Sequence, residues 1–248
     1  MKTIIAANWK MYKTRAEAAE TGRDLASRLQ SLKTDRMVLV FAPFTAIAAA
    51  ADELRPFAAV GAQDVYPALE GAFTGEISPA MIKDCGAEWV LTGHSERRHI
   101  LHESSDFVGQ KTAFALKEGL SVMLCIGETL AEREAGQLER VLSSQLEPAL
   151  RDLPKDILAD RFAIAYEPVW AIGTGKVASE SDIAEAHGMI RNLLSKFLGS
   201  VAGSIPLLYG GSVKPANAPA ILKLDNVNGL LVGGASLKAE SFSQIVTA

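Results

Sequence analysis

The sequence predicts a closed (β/α)8 barrel, eight parallel strands ringed by helices. Eight short, uniformly apolar runs recur along the 248 residues, and segments with helical spacing separate most of them. The competitor is a doubly wound open sheet. The strand count favours the barrel, as does the lack of a dinucleotide-binding glycine fingerprint after the first run. Barrels of about 250 residues are ordinarily one domain, so residues 1–248 are expected to form one.

The runs are TIIAANW, MVLVFA, AAVGAQ, WVLTG, SVMLCI, FAIAY, IPLLY and GLLVGG. None alternates apolar with polar residues, which is the pattern of parallel strands covered on both faces. Between the first two, Thr14 and Glu17 have capping-box spacing, and Ala18, Gly22, Leu25, Leu29 and Leu32 then fall on one helical face. Leu138, Val141, Leu142, Leu146 and Ala149 form a second stripe. Ile183, Ala186, Ile190, Leu193 and Phe197 form a third, after a start signal at Ser179. Asn228-Gly229 has hairpin composition, but AILKLDNV before it reads as a helix end and its exit turn, so the pair is expected to lead into the last strand.

Composition narrows the function classes. A net charge of -4 leaves no basic stripe for a general nucleic-acid binder, and an anionic ligand would have to be held by local donors. Two cysteines, Cys85 and Cys125, are too few for a disulfide framework and point to a reducing compartment. The N-terminus lacks the apolar core of a secretory signal, and the most apolar tract, FAPFTAIAAAA, is broken by Pro43 and falls short of the ~20 residues of a membrane span. A cytoplasmic protein without membrane or nucleic-acid partners is expected.

In such a barrel the site is built where the strands end at their C-termini. The polar residues just there are Asn8 and Lys10, then His94, Ser95 and Glu96, then Glu167, then Ser212 in GGSVKP, and finally Gly233-Gly234. Glu167 ends an apolar run and is followed by Pro168, Trp170 and a glycine-bearing loop with no other charge before Lys176. It reads as either a structural ion pair or a base beneath a cover; burial would raise its pKa. His94 precedes a short helix expected to begin at Ser95, which disfavours the imidazolium and makes it a neutral hydrogen-bond donor. Lys10 beside Asn8 reads as a substrate-facing ammonium. Ser212, Gly233 and Gly234 fit an anion cradle after strands seven and eight, with Gly173 adding an N–H when its loop closes. His99, His102 and Glu103 raise the question of a metal, but too few ligands converge for a catalytic zinc, and no metal is expected. Cys125 reads as a buried thiol rather than a nucleophile.

The motifs NWKM, GAFTGEISP, GHSERR, CIGE, YEPVWAIGTGK, YGGSVKP and LVGGASL, in this order, closely resemble the triosephosphate isomerase family from end to end. The resemblance implies cofactor-free interconversion of dihydroxyacetone phosphate and D-glyceraldehyde 3-phosphate, a step of glycolysis and gluconeogenesis. It further implies that Glu167 is the base, His94 the neutral electrophile and Lys10 the cation, with Asn8 positioning Lys10. Glu96 and Cys125 would support them. Gly173, Ser212, Gly233 and Gly234 would bind phosphate. Pro168, Val169, Trp170, Lys176 and Val177 would belong to a mobile lid. The segment Asp64 to Ser78 would be a homodimer loop, with Phe73, Thr74 and Gly75 at its tip; its length and exposed aromatic ring fit a contact role. Another phosphate-binding barrel isomerase, a glycosidase using Glu96 and Glu167, and a non-enzymatic binding module are the alternatives.

Overall fold

The computed structural model describes residues 2–32, 34–151, 153, 160–172 and 176–248. Its strands are β1 (Ile4–Asn8), β2 (Met37–Ala42), β3 (Ala59–Ala62), β4 (Trp89–Thr92), β5 (Ser121–Ile126), β6 (Phe162–Tyr166), β7 (Leu207–Tyr209) and β8 (Gly229–Val232). All pair in parallel and in sequence order, and β1 pairs with β8 to close the barrel. Each strand lies within one of the eight apolar runs.

Because successive strand residues point to opposite faces, the runs split into two cores. Ile4, Ala6, Leu39, Phe41, Trp89, Leu91, Met123, Cys125, Ala163, Ala165, Leu208 and Leu231 pack on one another as the barrel filling. Their neighbours, such as Ile5, Val40, Val90, Leu124, Ile164 and Leu230, join the larger core under the helices. This alternation positions the site. One further step along the inward series leads from Ala6 to Asn8, from Ala165 to Glu167, from Leu208 to Gly210 and from Leu231 to Gly233.

The helices start where side chains satisfy their free N–H groups. Thr14 caps Arg15–Ser31: its Oγ accepts the Glu17 N–H, and Glu17 returns the bond to the Thr14 N–H at 2.7 Å. Ala18, Gly22, Leu25 and Leu29 are buried, and Leu32 sits half-buried at the C-cap. The second stripe is buried throughout Leu138–Leu150. Glu180–Leu198 starts at Ser179 in a capping box completed by Asp182. Ile183, Ala186, Ile190 and Leu193 are buried as expected, but Phe197 is only half-buried. Phe197 still packs against the same core, with Leu194 and Leu198 buried beside it. In FAPFTAIAAAA, Pro43 ends a strand exit and precedes a 3-10 turn and the helix Ile47–Leu54. Asn228 leads into β8 as expected, and its Oδ1 accepts the Leu207 N–H. Among the described residues no helix is long and apolar enough to cross a membrane.

Candidate active site

Asn8, Lys10, His94, Glu167, Ser212, Gly233 and Gly234 line one cavity of about 500 Å³ at the C-terminal mouth of the barrel. This size suits a small ligand. Gly173 lies outside the described residues. Tyr12, Ile172, Gly210, Gly211, Val213 and Lys214 add to the wall.

Lys10 reaches the cavity from a backbone turn with φ 52°, the left-handed region, which costs a residue with a side chain of order 1 kcal/mol or more. Two side chains hold that turn. Asn8 Oδ1 accepts the Lys10 N–H at 2.9 Å, and Gln63 Nε2 donates to the Lys10 and Phe41 carbonyls at 2.9 and 3.1 Å. The ammonium pairs with Glu96 Oε1 at 2.6 Å, and a methyl placed on Gly233 would sit 4.0 Å from Nζ. The cation therefore bridges the β1 and β8 ends of the cavity.

His94 is the N-cap of the helix Ser95–His99, and its Nδ1 accepts the Glu96 N–H at 3.3 Å. An acceptor Nδ1 places the ring proton on Nε2, a tautomer assigned from the hydrogen bonds. Nε2 points at Glu167 Oε1, 2.9 Å away. Glu167 Oε2 accepts the Ser95 N–H at 2.8 Å. Burial was expected to raise the Glu167 pKa, and burial is the largest single influence and does push it up. The opposing pull of His94, the Ser95 N–H and Lys10 nevertheless outweighs it and leaves the carboxyl below its ordinary range. In this arrangement Glu167 is a buried, well-solvated carboxylate whose solvent is protein.

A buried carboxylate, an imidazole N–H and an ammonium thus converge on one small cavity bordered by glycines. The triosephosphate isomerase family model matches residues 3–248 of the chain. Triosephosphate isomerases from Oleidesulfovibrio alaskensis and Nitratidesulfovibrio vulgaris are 60% and 57% identical to it, each over the full length of both chains. That of Lawsonia intracellularis is 53% identical over all of this chain and 98% of its own. The chain belongs to the triosephosphate isomerase family.

Other residues of this family member fall into place around that core. Cys125 is fully buried in the barrel filling; burial, then the nearby Glu167 charge, push its thiol well above the ordinary range, in keeping with a packed group rather than a nucleophile. Glu96 is half-exposed and engages Lys10, whereas Pro168 to Ala171 leave β6 as a tight turn. Val177 is exposed, and residues 173–175 between it and Ile172 are outside the described set.

Sequence reasoning gave no role to Glu128, the last residue of CIGE at the fifth strand end, which is fully buried. Its Oε1 accepts from Tyr166 Oη at 3.0 Å and from Trp170 Nε1 at 2.8 Å, and its carbonyl accepts the Val169 N–H. A lone acidic residue just past the end of an apolar run, as Glu167 also is, was the available signal. Gln63 was missed too, since nothing local marks a side chain that serves another strand's carbonyl. Gly127 admits the β6 exit: a Cβ there would lie 1.8 Å from the Glu167 carbonyl oxygen. Glu103 pairs with Arg97 and Lys111, and among the described residues no group of three or more His, Cys, Asp or Glu is placed to hold a metal.

Proposed function

We infer that this chain interconverts dihydroxyacetone phosphate and D-glyceraldehyde 3-phosphate by proton transfer through an enediolate, without cofactor or metal. The observation that carries the reading is the contact of Glu167 with His94 Nε2 beside Lys10 in a cavity sized for a triose phosphate. Glu167 removes the proton from carbon. To do so its carboxylate must give up the Ser95 and His94 bonds and turn to the substrate, which frees His94 Nε2–H to donate to the carbonyl oxygen. A neutral imidazole suits that task, and the family is itself a known illustration of pairing it with a carboxylate base. Lys10 stabilises negative charge growing on the same oxygen and leaves Glu96 to do so.

Magnitudes require the three together. General acid–base help supplies ~10²–10⁴-fold, and one preorganised oxyanion donor ~2.7–4 kcal/mol. Ser212, Gly233, Gly234 and Gly173 hold the phosphate, far from the proton, and that binding energy holds the lid formed by Pro168 to Val177. Closure keeps water from the enediolate and holds the carbon–phosphate-oxygen bond in the plane of the π system, where phosphate loss is disfavoured. Asn8 positions Lys10, and Glu96 and Cys125 support the site.

The same reading makes the protein a one-domain, cytoplasmic homodimer. Met11 is 95% exposed, and Phe73, at 43%, stacks on Tyr66 with ring centroids 4.5 Å apart near the tip formed by Thr74 and Gly75. Ile100 and Leu101 are exposed as well. Apolar groups presented in this way suit an interface between copies. A coupled assay with D-glyceraldehyde 3-phosphate, with and without phosphoglycolate, tests the activity. Inhibitable turnover supports it; a folded protein that binds neither molecule refutes it.

A further inference from the structure

Arg98 is a buried guanidinium with no carboxylate partner among the described residues. It sits on the Ser95–His99 helix, is 9% exposed, and among the described residues forms no ion pair. Buried arginines are ordinarily paired, because an uncompensated charge is costly away from water. Here every hydrogen bond goes to a neutral oxygen. Nε donates to the Gly93 carbonyl at 2.8 Å, Nη2 to the Cys125 carbonyl at 3.2 Å and Nη1 to Ser105 Oγ at 3.1 Å.

The three bonds join the exit of β4, the end of β5 and the first residue of the helix Ser105–Lys117. Gly93 immediately precedes His94 and has φ 68°, and a Cβ on it would lie 2.6 Å from Arg98 Nη2. The guanidinium therefore fills the space behind the peptide that aims the imidazole. Its charge also remains unspent. Burial pulls the Arg98 pKa down, and the carboxylates of Glu167 and Glu103 partly offset it. Cys125 in turn contacts Glu167.

We propose that Arg98 is a positioning residue for the isomerisation: its forked grip on the β4 and β5 exits fixes His94, and its charge, held on the Gly93 carbonyl one residue before the His94 that contacts Glu167, favours the carboxylate. This rests on the isomerase reading above. The groups facing Glu167 are His94 and the Ser95 N–H from the β4 exit, Lys10 from the β1 exit and Cys125 from β5, with Arg98 behind Cys125. Two variants separate grip from charge. Arg98→Met removes both, and Arg98→Lys keeps charge without the planar fork.

Steady-state kinetics per folded molecule and the acidic limb of the kcat/KM profile are the readouts. The parent must first show turnover; if it does not, the function fails and Arg98 is not at issue. With an active parent, Arg98→Met is expected to lose about tenfold or more in kcat with KM within about threefold, since small misplacements are expensive. Its acidic limb should move up by about half a pH unit, through loss of a nearby positive charge. Arg98→Lys should lose kcat but keep the parental limb. Parental kcat and limb in folded Arg98→Met would overturn the proposal, as would an equal limb shift in both variants. If Arg98→Met does not fold, Arg98→Lys decides the positioning role: parental kcat per folded molecule overturns it, and a lowered kcat at unchanged KM supports it.

Discussion

Two clusters of charged side chains flank the Ser95–His99 helix, and they differ in what their bonds are spent on. On one side Lys111, almost fully buried, donates to Asp64 Oδ1 and Oδ2 at 2.8 and 2.9 Å and to Glu103 Oε1 at 2.5 Å. Arg97 closes the group by pairing with Asp64 and Glu103 at 2.8 and 2.6 Å. Burial dominates at Asp64 and lifts its pKa, whereas at Glu103 the hydrogen bonds from Arg97 and Lys111 overcome burial and lower it. On the other side Lys10, Glu96, His94 and Glu167 are also paired, but around an open cavity. Each of those bonds is one that a substrate oxygen or carbon can replace. Fixed partners make a charged group structural, and exchangeable partners make it available for chemistry.

The sharpest way to break this comparison is to remove one cation from each cluster. Lys10→Met should abolish turnover while the far-UV circular dichroism stays that of the parent, because the barrel does not depend on a charge facing a cavity. Retained activity would show that Lys10 is a spectator. Lys111→Met should do the reverse. Leaving Asp64 and Glu103 to share Arg97 alone costs up to about 3 kcal/mol, seen as a lowered denaturation midpoint, with kcat per folded molecule near the parental value. An unchanged midpoint would mean that the closed cluster contributes no stability.

His187 offers a third case, a buried titratable group that among the described residues has no oppositely charged partner. Its Nδ1 bonds the Asn226 carbonyl at 3.0 Å, its Nε2 has no partner among the described residues, and burial brings its pKa down from 6.5 to about 4. The unfolded chain therefore binds a proton between pH 6.5 and about 4 that the folded one refuses. Stability from this group is full above pH 6.5 and falls as the pH drops toward about 4, by up to ~3 kcal/mol. Denaturant titrations at pH 7 and 4.5 on the parent and on His187→Gln should show the smaller drop in the variant. Equal drops would remove His187 as the cause.

Glu167→Asp sharpens the other half of the comparison, since it keeps the charge and withdraws it by about a methylene. Turnover should fall ~10²-fold, with phosphoglycolate affinity changed little, because geometry rather than charge is lost. Parental kcat would refute the base assignment.

The clusters also mark how far the sequence could be read. The barrel and the mouth residues were legible because both follow from local signals: eight uniformly apolar runs mark strands covered on both faces, and the polar residues just past the ends of those runs are the site residues. The capping box at Thr14 was legible for the same local reason. What was not legible depends on partners distant in the chain. The direction of the Glu167 pKa hinges first on His94 and then on Ser95, the latter 72 residues away, and Glu128 is explained only once Tyr166 and Trp170 are beside it.

The smallest effect belongs to charges on the exposed surface. Asp24 and Arg28 pair at 2.9 Å one turn apart on the Arg15–Ser31 helix, with both side chains at least 40% exposed. Water competes for each, salt screens both, and Asp24→Asn should change stability by about 0.5 kcal/mol or less, measured at low and high salt. A loss comparable to that of Lys111→Met would mean that burial is not what distinguishes the structural cluster. The contrast between fixed and exchangeable partners would then have to be rebuilt on geometry alone.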